Sequence, residues 1–186
     1  MRRHLYLRYC IIGLLFLIQT LFLLAIFREN TKSYLVLIFI ISLTILMLYS
    51  YRSAKLHHLE NEYESFRIAF WVPVGAISSY YLNQKIGLGP VLGASIVGVL
   101  ASFLSNIKPK SNYFAQLPTP IYCGAFIGMS STNVATDFTF IMVASFFTAV
   151  LLIVSKSVLK GVGGKLGTLA FMGVVITYLI IYLINK

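Results

Sequence analysis

Few side chains in this sequence could do chemistry, and their spacing limits what they can do. His57 and His58, with Glu60 and Glu62, are metal-ligating types. Adjacent histidines, however, project from different sides of a helix, and no HExxH spacing puts two imidazoles on one face, so we read a solvated segment and expect no metal site. All three histidines fall within the first 58 residues, leaving Ser95, Ser130 and Cys123 without an imidazole in their own part of the chain. A Ser/His or Cys/His hydrolase is not expected, every Lys sits at the edge of an apolar run, and we expect no catalytic residue and no enzyme. Cys10 and Cys123, the only cysteines, lie in apolar stretches, form neither a CxxC nor a disulfide framework, and read as small buried hydrophobes.

Asp137 is the only acid after Glu64. A carboxylate inside a membrane would serve an ion or proton path, whereas the same residue at the start of a helix is an N-cap. Asp137 is therefore carried as a candidate ion-path residue, with capping as the competing reading. The segments GLGPVLG at 87–93 and GVGGKLG at 161–167 share the pattern GxGxxLG, but no strand precedes them and no GK[ST] follows, so no nucleotide or other cofactor is expected. Glycines four apart, Gly89 with Gly93, Gly124 with Gly128 and Gly163 with Gly167, let helix backbones approach closely in lipid, and they are the expected helix-packing positions.

The elements that must position these groups follow from composition. The chain has 186 residues, 59% hydrophobic and 11% charged, with mean hydropathy +0.87. Soluble domains carry roughly 25% charged residues, so composition implies an integral membrane protein. Uncharged runs cover 9–27, 33–51, 68–84, 86–107, 111–136, 138–155 and 166–185. A helix needs about 20 apolar residues to cross a bilayer core, and continuous apolar runs exclude an alternating barrel. The expectation is an all-α, polytopic transmembrane helical bundle of seven spans, a single integral membrane domain over 1–186, with six spans or fewer if one run is re-entrant.

Two runs are the weak points of that count. The third is 17 residues long and contains Pro73 and Gly75; the fifth opens with Ser111 to Pro120, and Pro118 and Pro120 should bend the chain there. Lys and Arg in short loops mark the cytoplasmic side. Seven crossings from a cytoplasmic N-terminus place eleven of the 15 basic residues inside and four outside; a re-entrant fifth run makes the split nine to six. Seven is the better reading, in a cell inner (plasma) membrane, with the first run an uncleaved span rather than a signal peptide. Trp71, Tyr80, Tyr81, Tyr113, Tyr122, Tyr178 and Tyr182 fall near the ends of runs, as interfacial aromatics do.

The formal charge of +10 suits anionic lipid headgroups; the basic residues are scattered between apolar runs, so direct nucleic-acid binding is not expected. Residues 52–67, RSAKLHHLENEYESFR, form the one long polar segment, expected in the cytoplasm. Leu56, Leu59, Tyr63 and Phe66 recur at amphipathic-helix spacing, which suits either a helix lying at the lipid interface or a docking face for a soluble partner or a second copy.

In its basic MRRHLYLR start, its length, its apolar hairpin to Tyr51, the polar 52–67 segment and its lack of catalytic groups, the chain resembles the KwaA family, the small multi-pass membrane subunits of the Kiwa anti-phage defence systems of bacteria. That resemblance implies an inner-membrane component that senses infection and works with a soluble partner acting on phage DNA. The expected function is thus a non-enzymatic membrane sensor or anchor subunit, with the bilayer, a soluble cytoplasmic protein and further copies of itself as partners. The alternative is a small oligomeric ion channel or transporter, in which the GxGxxLG segments mark glycine-rich inverted repeats.

Overall fold

The computed structural model describes residues 13, 14, 17, 18, 20, 21, 23, 24, 28, 34–53, 63–108, 110–156, 164–184 and 186. Contacts divide the chain into two units, residues 1–62 with 157–162 and residues 63–156 with 163–186. In the first unit, the described positions from 13 to 28 are helical, and α1 follows as Tyr34–Ser53. Leu35, Ile38, Phe39, Ile45 and Leu46 of α1 are exposed. Leu56 and Leu59 lie outside the described residues.

The second unit contains α2 (Phe66–Ala69), α3 (Trp71–Tyr80), a π-helical turn (Tyr81–Lys85), α4 (Pro90–Ile107), α5 (Asn112–Gln116), α6 (Pro118–Gly128), α7 (Phe138–Val154) and α8 (Lys165–Ile184). No strand occurs among the described residues. The protein is all-α there, and two helices, α4 with 18 residues and α8 with 20, are long and apolar enough to cross a membrane. At about 1.5 Å per residue they reach about 27 and 30 Å. Helix α7 is uncharged throughout and 17 residues long.

Prolines set the breaks between short elements. Pro73 offers no N–H to the carbonyl of Ala69 and crowds it, and α2 ends at Ala69. Pro118 and Pro120 likewise cannot donate to Phe114 and Gln116, and α5 ends at Gln116. The expected bend at this point is slight. Leu117 keeps helical dihedrals (φ −60°, ψ −37°), and its N–H reaches Phe114 O at 3.4 Å, so the bonding is interrupted while α5 and α6 form one column.

The contacts give each column a direction. Helices α3 and α6 run parallel, because Gly124 meets Val72 and Ala76 while Gly128 meets Ala76, Ser79 and Tyr80. Helix α4 runs against both: Gly93 lies near Ser79 and Asn83, and Gly98 lies under the Tyr122 ring. Tyr80 meets Phe138 at the start of α7, whereas Glu64 N–H bonds Ile153 O at its other end, so α7 opposes α3. Helix α8 opposes α7, with Lys165 against Ser155 and Gly173 against Ala144 and Thr148. Five columns therefore alternate in direction between a Lys85 end and a Lys156 end. The α5–α6 column touches Trp71 through Tyr113 at one end and Asn83 through Gly128 at the other, so it runs alongside α3 from end to end and does not turn back.

The core between α3, α6, α7 and α8 contains Val72, Ala76, Cys123, Ile127, Ile141, Ala144 and Leu169, all fully buried. A second cluster joins α4 to α6 through Ala94, Val97, Ala101, Leu117, Ile121 and Ala125. Outward faces remain apolar, as Val91, Leu100 and Phe103 of α4 and Phe146 of α7 show.

Candidate functional site

The tightest feature is the seam between α3 and α6. A Cβ added at Gly75 would land on the Ile121 carbonyl, and one at Gly124 on the Val72 carbonyl. At Gly128 it would lie 2.5 Å from Tyr80 N and 2.7 Å from Ala76 O. Gly124 and Gly128 are thus contact glycines between backbones, as is Gly93, whose added Cβ would sit 3.1 Å from Asn83 N. Gly89 is different. It stands in the left-handed region (φ +85°) at the N-cap of α4, with open space around its Cβ position, and it turns the chain instead of packing helices. Gly167 also has nothing within 4 Å of that position, and Gly163 lies outside the described residues. Gly75, Gly98 and Gly173 are the seam glycines that spacing by four between glycines does not find; Gly75 pairs in sequence with Ser79 and Gly98 with Ala94, so a search for any two small residues four apart would have found both.

At the Lys85 end, the π-helical turn closes with Ile86 N–H on Tyr81 O at 3.0 Å. Its extra residue brings two amides onto the end of α6: Asn83 Nδ2 donates to Gly128 O at 2.9 Å and Gln84 Nε2 to Ser130 O at 3.3 Å. These side chains satisfy carbonyls that a helix end leaves orphaned. Beside them opens a cleft of about 390 Å³, walled by Ile77, Tyr80, Tyr81 and Lys85 on one side and Thr136, Asp137 and Phe138 on the other. Asp137 precedes α7 with extended dihedrals (φ −134°, ψ 158°) and its carbonyl accepts from Phe140 N–H at 3.1 Å, but its carboxylate makes no cap bond. It is exposed at the mouth of this cleft and not in the interior of the bundle.

The Lys156 end collects most of the described cations of the second unit. Lys156 Nζ pairs with Glu64 Oε1 at 3.3 Å, and Lys165 Nζ donates to the carbonyls of Ser155 and Lys156, so the C-terminus of α7 is closed by an ammonium and by Glu64 N–H. Trp71 Nε1 donates to Tyr113 OH at 2.8 Å, and Lys108 lies 5.7 Å from the Phe114 ring centre. Of the remaining tyrosines, Tyr81, Tyr122, Tyr178 and Tyr182 are exposed, Tyr122 also lying over Gly98, whereas Tyr80 is buried in the core and is a packing group.

Of the docking stripe, Tyr63 and Phe66 are exposed at the Lys156 end. They do not share a helical phase: Tyr63 to Ser65 are non-helical, Ser65 is extended (φ −68°, ψ 135°), and Phe66 opens α2. The backbone bond from Glu64 to Ile153 and the ion pair to Lys156 hold residues 63–65 against α7 in a non-helical conformation.

Among the described residues, reactive groups are not assembled. Cys123 is buried, its Sγ donating to Leu166 O at 3.4 Å, and the buried hydroxyls of Ser145, Thr148 and Thr177 each bond a carbonyl of their own helix. Among the described residues no three His, Cys, Asp or Glu side chains gather closely enough to hold a metal, while His57 and His58 lie outside them. No protein-family profile, curated protein or solved structure matches this chain.

Proposed function

We propose that this chain is a non-enzymatic, multi-pass inner-membrane protein with seven crossings and a cytoplasmic N-terminus, and that it serves as the sensor or anchor subunit of a protein assembly. The observation that carries this reading is the alternation of five apolar columns with their charges sorted by end. Arg67, Lys108, Lys110, Lys156 and Lys165 belong to the Lys156 end; Lys85, Asp137 and Lys186 belong to the other. Basic residues concentrated at one end mark that end as cytoplasmic. The end-to-end course of the α5–α6 column favours a crossing over a re-entrant loop, and two earlier apolar runs bring the total to seven.

The sensor or anchor role draws on different features. The interior is filled by side chains with hydroxyls as its only buried polar groups among the described residues, which suits a scaffold. Exposed Tyr63 and Phe66, the last two residues of the stripe, supply a face for a soluble partner at the basic end. The resemblance to KwaA subunits gives this role a setting in anti-phage defence. A channel or transporter made of several copies is the second reading. Val72, Ile127, Ile141, Leu169 and Met172 close the centre of the second unit, so a pathway would have to run between copies.

The test is a mild-detergent pull-down of the tagged protein from its native host, beside a variant with Leu56, Leu59, Tyr63 and Phe66 replaced by Ser. A stoichiometric soluble partner retained by the wild type and lost from the variant supports the assembly reading. Recovery of the same homo-oligomer alone from both samples removes it, and makes liposome flux the next assay.

A further inference from the structure

We propose that the cleft at the Lys85 end binds a phosphoethanolamine group. Its volume, about 390 Å³, falls within the roughly 300–1,000 Å³ of small-molecule sites. Opposite charges face it from separate elements: Lys85 from the π-helical turn and Asp137 from the loop before α7. Neither carries an ion pair among the described residues.

Both walls are held in place independently of any ligand. Asn83 and Gln84 tie the turn to Gly128 and Ser130, while Val134 and Ala135 N–H close the opposite loop on Ser131 O at 3.0 and 2.8 Å. The Tyr80 and Phe138 rings, one from each wall, stand 6.4 Å apart. Ile77, Tyr81 and Lys85 recur every four residues and so share the face that lines the cleft. A simple anion here would meet Asp137 and a simple cation would meet Lys85; a zwitterion satisfies both. Its phosphate pairs with the Lys85 ammonium and accepts from the Thr136 hydroxyl, its ammonium donates to Asp137, and Ile77 and Phe138 cover its methylenes. A primary ammonium donates hydrogen bonds to a carboxylate, whereas a quaternary one cannot.

The choice of an aminophosphate over other zwitterions rests on the membrane reading, since the cleft lies where the apolar columns end, at headgroup level. The group can come from phosphatidylethanolamine or from a free phosphoethanolamine ester. The full chain is incorporated into vesicles of equal phosphatidylethanolamine and phosphatidylcholine, and bound lipid is counted by native mass spectrometry for the wild type, Lys85→Gln, Asp137→Asn and, at the opposite end, Lys110→Gln. Both site residues are exposed, so neither change empties a packed position. The expected result is a preference for ethanolamine over choline lipid of about tenfold in the wild type and Lys110→Gln, largely lost in the other two. Displacement by free O-phosphoethanolamine identifies the soluble ester as a sufficient ligand; retention of lipid against it assigns the lipid. Equal binding of the two lipids by the wild type together with no binding of the free ester, or an undiminished preference in both site variants, overturns the proposal. Alkaline extraction of the same vesicles reports separately on whether the chain is integral to the bilayer.

Discussion

Replacing Gly128 by Ala tests whether the α3–α6 seam holds the second unit together. The new Cβ would lie 2.5 Å from Tyr80 N, 2.6 Å from Ser79 Cβ and 2.7 Å from Ala76 O, against an ordinary contact of 3.4 Å or more. Two of the three neighbours are backbone atoms inside a helix and cannot rotate away. The helices must therefore part by about 0.9 Å at this point. A gap of 0.5–1 Å forfeits about a quarter to a half of each dispersion contact along the seam, and overpacking of this kind costs about 1–3 kcal/mol. Separation also stretches the Asn83 bond to Gly128 O, worth about 1 kcal/mol. Helix propensity returns at most about 1 kcal/mol. The net expectation is a loss of about 1–3 kcal/mol, which for a chain of this size lowers Tm by about 2–12 °C. Gly167→Ala is the matched control. With nothing within 4 Å of its Cβ position inside α8, it should leave Tm unchanged or raise it by about 1–4 °C. The assay is thermal unfolding of both variants in one detergent, followed by fluorescence-detected size exclusion. A Gly128→Ala protein within a degree of wild type, or equal losses in the two variants, would refute the claim that backbone contact at this seam carries the stability.

Three further expectations follow from the same geometry. Asn83→Ala leaves Gly128 O without its partner and should cost about 1–2 kcal/mol, with Gln84→Ala costing less because its bond is longer; a reversed order in thermal unfolding would count against the capping role. Lys156→Ala removes one partly exposed ion pair and should cost under about 1 kcal/mol, whereas Lys165→Ala uncovers two carbonyls at the end of α7 and should cost about 1–2 kcal/mol; Tm measured in low and high salt separates them, since only the former loss should vanish with salt. In a background with Cys10→Ser and Cys123→Ala, single cysteines at Ser111 and Lys156 should react with an impermeant maleimide from the opposite side to those at Lys85 and Asp137. Labelling of all four from one side would end the alternating-crossing reading.

Much of the helical content was legible because charge and proline punctuate an apolar chain. Pro73, Pro118 and Pro120 lie next to the observed helix breaks, and Asp137 precedes α7 as an N-cap does. The seam was half legible: Gly124 and Gly128 are visible as a spaced pair, but their counterparts are Gly75, Ala76 and Ser79, where mixed small residues hide the pattern. Between Tyr63 and Phe66 the helical spacing is interrupted because Glu64 is held by Ile153 and Lys156, residues far along the chain that no local pattern reveals. Asn83 and Gln84 looked scattered for the same reason. Their partners, Gly128 and Ser130, are brought within reach by the parallel course of α3 and α6.

By itself the sequence determined that the described elements are helices, how long their apolar stretches are, and at which ends their charges fall. Each follows from local chemistry: backbone propensity, proline's missing N–H, and the cost of placing charge in an apolar run. Only the tertiary structure decided which faces meet. In a chain this apolar nearly every face of every helix is hydrophobic, so periodicity does not distinguish inside from outside. Close approach is chosen instead by volume, and the helices touch where Gly75, Gly124, Gly128 and Gly173 leave no side chain in the way.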